Sequence, residues 1–217
     1  METLYSIFKE GGVPIYLNVL VVSVISIAII VERLISLLGT TRVDVEQFTT
    51  MMIKLVKQGH VDQALKLCAS TRHPIAKVCR AGLNKADGGI LEISSSIDEE
   101  MMRAVPQLEK RVGSLWALAN IATLIGLVGT IFGLITSFQG LAGKSPEEKS
   151  AFLATGISEA LHNTAVGLTI AVMCMIGHLL LTTLSKKIVH SMELNASILE
   201  NYLIQRSSSG SSERSGG

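Results

Sequence analysis

Three stretches of the chain are apolar all round, without the polar face that a surface helix keeps. The first, Val13 to Val31, is interrupted only by Tyr16, Asn18, Ser23 and Ser26 and stops at Glu32-Arg33. Val112 to Leu141 carries no charge, and Ala160 to Leu184 carries none beyond what His162 and His178 hold. About 20 helical residues cross the hydrocarbon core of a bilayer, and a backbone in lipid must satisfy its own hydrogen bonds. Each stretch is therefore predicted to be a transmembrane helix, at 13–31, 112–138 and 157–184.

The segment 32–111 reads differently. Asp44 is placed to cap a helix whose apolar Val45, Phe48, Met51, Met52, Leu55 and Val56 recur at three- and four-residue intervals, with Gly59 as its stop. A second helix is predicted from Val61 to Ala69, and a third from Pro74 until Asp87-Gly88-Gly89. From Ile90 no stop signal precedes the membrane, so one continuous helix to Phe138 is expected, bent near Pro106. The third span is expected to continue as a helix through 185–206, ahead of a flexible Ser- and Gly-rich tail at 207–217. The fold class is an all-α membrane protein with three transmembrane helices, two of them extended into the cytoplasm, and a small helical cytoplasmic region.

Hydrophobic residues make up 48% of the chain and charged residues 17%, which fits that class. Most of the 19 Lys and Arg residues fall in 32–111, with Lys186, Lys187, Arg206 and Arg214 after the third span. Lys9 alone precedes the first span, and Lys144 and Lys149 alone lie in the connection 139–156. The positive-inside rule then puts residues 1–12 and the short loop 139–156 outside, in the periplasm, and 32–111 and 185–206 in the cytoplasm. The flank Glu2, Lys9 and Glu10 has no basic cluster and no A-x-A site follows, so the first span is expected to be kept rather than cleaved. Acidic and basic residues interleave in 32–111, which excludes a nucleic-acid patch. Cys68, Cys79 and Cys174 show no metal spacing and are expected as free thiols.

The candidate chemistry lies in the second and third spans. Thr123, Thr130 and Ser137 recur every seven residues, and so do Gly126, Gly133 and Gly140, offset to the same helix face. Ala160, Thr164, Gly167, Ala171, Cys174 and His178 make a matching stripe on the third span. Two readings stay open. The stripes can be close helix packing, with hydroxyls bonded back to carbonyls, or they can line a cavity in an oligomer, where hydroxyls meet water or a protonatable group of another chain. Glu159, near the outer end of the third span, is an interfacial carboxylate or a gate for protons. His178 is taken as structural, and neither a catalytic set nor a metal site is predicted, since neither a G-x-S-x-G nor an H-E-x-x-H constellation occurs.

These residues carry a resemblance. Gly126-Leu127-Val128-Gly129-Thr130-Ile131-Phe132-Gly133, followed by Ser137-Phe138, resembles the second-span signature of the TolQ/ExbB/MotA family of motor proteins. Gly156-Ile157-Ser158-Glu159-Ala160-Leu161, then Thr164-Ala165-Val166-Gly167-Leu168 and Ala171-Val172, is similar to its third-span signature. Gly11-Gly12, Pro14 and Glu32-Arg33-Leu34 resemble the ends of its first span. Thr123 and Met173 stand where the relatives usually have Pro, which leaves room for a motility or secretion branch. The resemblance implies a non-enzymatic homopentameric scaffold of the bacterial inner membrane. Its implied partner is two copies of an ExbD/TolR-type single-span protein whose intramembrane Asp cycles protons, and further envelope or motility components, gliding among them, are implied beyond it. Thr130 and Thr164 are implied to face that Asp, Glu159 to match the family's outer acidic position, and Thr123, Gly126, Gly133, Ser137, Ala160, Gly167 and Ala171 to form a small-residue pore seam. No cofactor is implied, and the transported ion is H+. A structural membrane scaffold and a stand-alone ion channel or transporter are the alternatives, the latter needing a charged mid-membrane site of its own.

Overall fold

The computed structural model describes residues 13–40, 43–86 and 88–215; the N-terminal segment 1–12 and Asp87, on which part of the sequence reading rests, lie outside them. The described residues form seven α-helices and no strand: α1 (Val13–Thr40), α2 (Val45–Lys57), α3 (Val61–Ser70), α4 (Pro74–Asn84), α5 (Ile90–Glu109), α6 (Val112–Gln139) and α7 (Pro146–Ser215). α1, α6 and α7 each contain a stretch long and apolar enough to cross a membrane. Two compact units divide them. The first holds α1 as far as Arg33 together with residues 111–181, and the second holds residues 34–110 with the C-terminal part of α7 from Thr182.

In the first unit α1, α6 and α7 pack through small side chains. Val22, Ala119, Ala122, Ala171 and Cys174 form its buried cluster. At Gly177 an added Cβ would sit 2.6 Å from Ile30 Cδ1, which marks where α1 lies against α7. The outer faces remain apolar: Leu20, Val24, Leu124, Ile131, Leu161 and Leu179 are all exposed. Such a surface suits lipid or a neighbouring subunit and not water.

The second unit has the opposite texture, a core of large aliphatic side chains under a charged surface. α2 packs on α3, α3 on α4 and α4 on α5. Met52, Val56, Ile75, Val78, Ile93 and Ile97 are nearly fully buried there, and the C-terminal part of α7 adds Met192, Leu199 and Leu203. Gly82 lets α4 approach both neighbours, since a Cβ would stand 2.9 Å from Ile97 Cδ1 and 3.3 Å from Leu203 Cδ1. Ser94 Oγ donates to Glu200 Oε1 at 2.5 Å, and Lys57 Nζ lies 5.6 Å from the Tyr202 ring.

Local signals account for most boundaries. Asp44 caps α2, its carboxylate accepting from the N–H groups of Glu46 and Gln47 at 3.1 Å each. Gly59 then takes φ +79, the left-handed turn that glycine adopts freely. Pro74 opens α4, and His73 Nδ1 accepts the Ile75 N–H at 3.1 Å.

Three expectations are corrected. The continuous helix from Ile90 to Phe138 is broken: α5 ends at Glu109, and Arg111 takes φ 62 ahead of α6. Pro106 stays inside α5, and the chain turns one residue group later, where the Arg111 guanidinium reaches Glu32 Oε2 of α1 at 2.5 Å. A non-glycine residue spends roughly 1–2 kcal/mol in the left-handed region, and an exposed ion pair of this kind returns little of it. The connection expected over 139–156 is mostly helix, because α7 starts at Pro146. Ser145 and Glu148 make a reciprocal capping box there: Ser145 N–H donates to Glu148 Oε2 at 2.9 Å, and Glu148 N–H donates to Ser145 Oγ at 3.4 Å. Finally, helix persists through Ser215 where a flexible tail was expected from Ser207. Extending an existing helix avoids the cost of a nucleus, and Ser207 Oγ is tied to the Gly88 carbonyl at 3.1 Å.

Candidate functional site: the hydroxyl cluster on the α6–α7 seam

α6 and α7 run antiparallel in a fixed register, and the two predicted stripes meet in it. A Cβ on Gly126 would lie 3.2 Å from Gly167 Cα and 3.3 Å from Thr164 Cα, and one on Gly133 would lie 2.8 Å from Ala160 Cβ. Further along, Gly156 is pressed against Ser137 and Gly140 against Phe152. Each step of three or four residues along α6 is thus matched by an equal step back along α7. Gly167 is the point least able to give, because a Cβ would meet backbone, Ala122 O and Gly126 Cα, both at 2.8 Å.

This contact consumes most of the seam. Ser137, Ala160 and Ala171 are 4%, 1% and 2% exposed, and Gly126 and Gly167 are also buried. Gly133, half-buried, packs against Ala160. At these positions α6 and α7 of one chain pack on each other, the first of the two readings left open for the stripes. Ser137 Oγ returns its proton to the Gly133 carbonyl at 2.6 Å, as a helical serine does. Thr123, half-buried, likewise donates to Ala119 O at 3.1 Å.

Thr130 and Thr164 differ from the rest. Both are half-buried, and their hydroxyls are hydrogen-bonded to each other. Thr164 Oγ1 donates across the helix contact to the Gly126 carbonyl at 2.9 Å, and Thr130 Oγ1 reaches the same carbonyl at 3.3 Å. Gly126 makes this possible, because a side chain there would push Thr164 away. The two hydroxyls own one proton each, so only two of these three pairings are made at any moment. Whichever two are made, both protons point inward, and what the cluster offers outward is oxygen lone pairs.

The other singled-out residues stand apart from this cluster. Glu159 is exposed on α7, and none of the hydroxyl bonds involves it. His178 Nδ1 lies 2.9 Å from the Val112 carbonyl, so its proton sits on that nitrogen and the residue ties α7 to the start of α6, the structural part expected of it. Sequence reasoning passed over Asn163, 7% exposed with its amide oxygen unpartnered beside the seam, and the Arg111–Glu32 pair. It also passed over the Ser145–Glu148 cap, although Ser-x-x-Glu was legible there. In the second unit, burial pushes the Cys68 thiol up to about 11 and raises Cys79 further, while burial lowers His73 to about 4.

Comparison with known proteins bears on this arrangement. The MotA/TolQ/ExbB proton channel family matches residues 70–194, more than half of the chain, including α6 and the apolar part of α7. A putative biopolymer transport protein ExbB homolog of Methanothermobacter thermautotrophicus is 23% identical over 173 residues, 80% of this chain and 61% of that protein. A putative biopolymer transport protein ExbB-like 3 of Synechocystis is 25% identical, over 71% of this chain and 73% of its own length. The biopolymer transport protein ExbB of Salmonella typhimurium is 32% identical over 138 residues, 57% of this chain and 55% of that protein. The chain thus spans little more than half of some of the relatives it matches. With three apolar helices long enough to span a bilayer and the family's match running through both hydroxyl-bearing helices, the chain belongs to the MotA/TolQ/ExbB proton channel family, as a multi-pass membrane protein.

Proposed function

We propose that this chain is the ring-forming subunit of a proton-driven motor in the bacterial inner membrane, a homopentamer around two copies of an ExbD/TolR-type single-span partner that carries an intramembrane Asp. Its N-terminus faces the periplasm, and residues 32–111 with the C-terminal part of α7 face the cytoplasm. The work it powers is on envelope or motility components, and the ion is H+, with no cofactor. The observation that carries this reading is the Thr130–Thr164–Gly126 cluster, set in spans that hold no carboxylate at their centres. Such a chain has no acidic relay of its own, and needs one from another protein.

The proton count of the cluster gives the partner two states. With both hydroxyl protons turned inward, Thr130 and Thr164 offer lone pairs and accept from a neutral carboxylic acid. To meet a carboxylate, one hydroxyl must leave the Gly126 carbonyl and turn outward. The closed cluster therefore favours the protonated Asp, and the opened one the anion. Every proton that crosses releases about 2.3 kcal/mol per 100 mV, enough to bias which ring subunit the Asp prefers if the two states differ by a similar amount. Glu159, exposed near the outer end, is the entry point for protons in this scheme.

Co-expression with a single-span, Asp-bearing partner tests it. Co-purification and proton flux into vesicles are expected, and Thr130→Val with Thr164→Val should assemble normally while flux falls by at least tenfold. Wild-type flux from the assembled double variant would remove these hydroxyls from the pathway.

A further inference from the structure

The second unit carries a surface groove of about 450 Å³ between α5 and the C-terminal part of α7. Its floor is apolar and rich in methionine: Ile97 is buried, Met101 and Val105 are half-buried, and Met102 stands 70% exposed at the edge. Methionine is unbranched and polarisable, so a surface built on it adapts to the apolar side of a docking segment.

The rim is acidic, and its spacing is regular. Ser94 Oγ donates to Glu200 Oε1 and Ser207 Oγ to the Gly88 carbonyl, so α5 and this part of α7 run antiparallel with Ser94 level with Glu200. Asp98, one turn on from Ser94, is then level with Ala196, and Glu193 lies three residues beyond that level on α7. Glu200, Asp98 and Glu193 thus present one carboxylate per helical turn of about 5.4 Å, from alternate banks of the groove. Among the described residues no Lys or Arg lines it, and Arg103, the nearest guanidinium on α5, is engaged by Glu99 and Glu100. Asp98 and Glu193 are exposed, and among the described residues neither enters an ion pair.

The surface that complements this groove is apolar along one side and carries cations at three- and four-residue intervals, which is a basic amphipathic helix. Three carboxylates repel an anionic bilayer surface and nucleic acid alike. A single-span membrane protein holds basic residues where its chain meets the membrane on the cytoplasmic side, because Lys and Arg collect within about 15–20 residues of that end. We infer that the occupant of the groove is the basic cytoplasmic flank of the single-span partner, with an apolar side chain on Met101 and Met102 and its cations on Asp98 and Glu193. The inference rests on the partner proposed above and adds a second hold on it, in the unit that does not contain Thr130 and Thr164.

Photocrosslinking in membranes tests it with the full chain and the co-expressed partner. Met102→Cys is labelled with a benzophenone maleimide, the buried Cys68, Cys79 and Cys174 staying out of the reaction, and adducts are located by mass spectrometry. The expected adduct is on the Lys- or Arg-bearing residues beside the partner's span on its cytoplasmic side. Asp98→Asn with Glu193→Gln, which keeps both shapes at exposed positions, should lower its yield roughly fivefold, the effect of losing two exposed ion pairs, with thermal unfolding unchanged. Asp98→Lys with Glu193→Lys should lower it further, and exchanging the flank's cations for Glu should then restore it. An adduct confined to another copy of this chain or to the rest of the partner, no adduct at all, or a yield indifferent to these charges would overturn the contact. Where the partner still co-purifies in those cases, this contact alone is lost; where it does not co-purify with the parent chain, the partner assignment falls and this inference with it.

Discussion

At Gly167 the absence of a side chain is what lets two helices touch. A methyl group would meet the Ala122 carbonyl and Gly126 Cα, both backbone and neither free to swing aside. Gly167→Ala is expected to destabilise the first unit by about 1–3 kcal/mol, the usual cost of overpacking, and to break the Thr164–Gly126 bond that depends on the same approach. Thermal unfolding in detergent reads the first effect, and a drop in flux larger than the stability loss explains reads the second. His73 makes a residue-scale case of a different kind. Its Nδ1 accepts the Ile75 N–H, so the cap exists only while that nitrogen is unprotonated. Burial lowers the folded His73 to about 4 from the ordinary 6.5, and the unfolded chain therefore takes up the proton first as pH falls. The contribution is complete above pH 6.5 and is lost progressively toward pH 4, to a total on the order of 3 kcal/mol. His73→Asn keeps an acceptor without titrating, and the hydrogen-exchange protection factors of the Ile75–Val78 amides, corrected for the intrinsic rate at each pH, should fall between pH 6.5 and 4 in the parent and not in the variant.

The elements divide according to what encodes them. Helices whose ends are written in single residues were legible: Asp44, Gly59 and Pro74 bound α2 and α4 where expected, because a cap, a left-handed glycine and an N1 proline are local chemistry. The three apolar stretches were legible for the same reason, since length and the want of charge decide them. The break between α5 and α6 was not. No glycine marks it, and the left-handed residue is an arginine whose partner, Glu32, is 79 positions away. The stripes on α6 and α7 were visible, yet sequence could not give their mutual register; in the structure they run antiparallel, with Gly126 on Gly167 and Gly133 on Ala160. The break offers its own test. Arg111→Gly loses the ion pair but relieves the backbone, while Arg111→Val loses the pair and keeps a β-branched residue at positive φ. The valine variant should be the less stable by about 1 kcal/mol or more, as measured by thermal unfolding in detergent, and equal stabilities would mean the chain abandons this turn.

For the molecule as a whole, the texture of the two units sets what it can do alone. The first unit is apolar outside and closed by small residues inside, and its weakly polar cluster keeps both hydroxyl protons on the Gly126 carbonyl and on each other. A proton crossing such a unit would need either a titratable group at mid-span or a file of water, and the buried seam between α6 and α7 has Ala160, Gly167 and Ala171 where water would have to stand. Moving a bare charge through apolar protein costs far more than the roughly 2.3 kcal/mol that 100 mV provides. The chain reconstituted by itself is therefore expected to leave vesicles as proton-tight as lipid alone at 100 mV, read with an internal pH dye, and to conduct only when the Asp-bearing partner is included. A leak from the chain alone, abolished by Thr130→Val with Thr164→Val, would make it a stand-alone channel and would move the source of the relay from the partner to water held on these two hydroxyls.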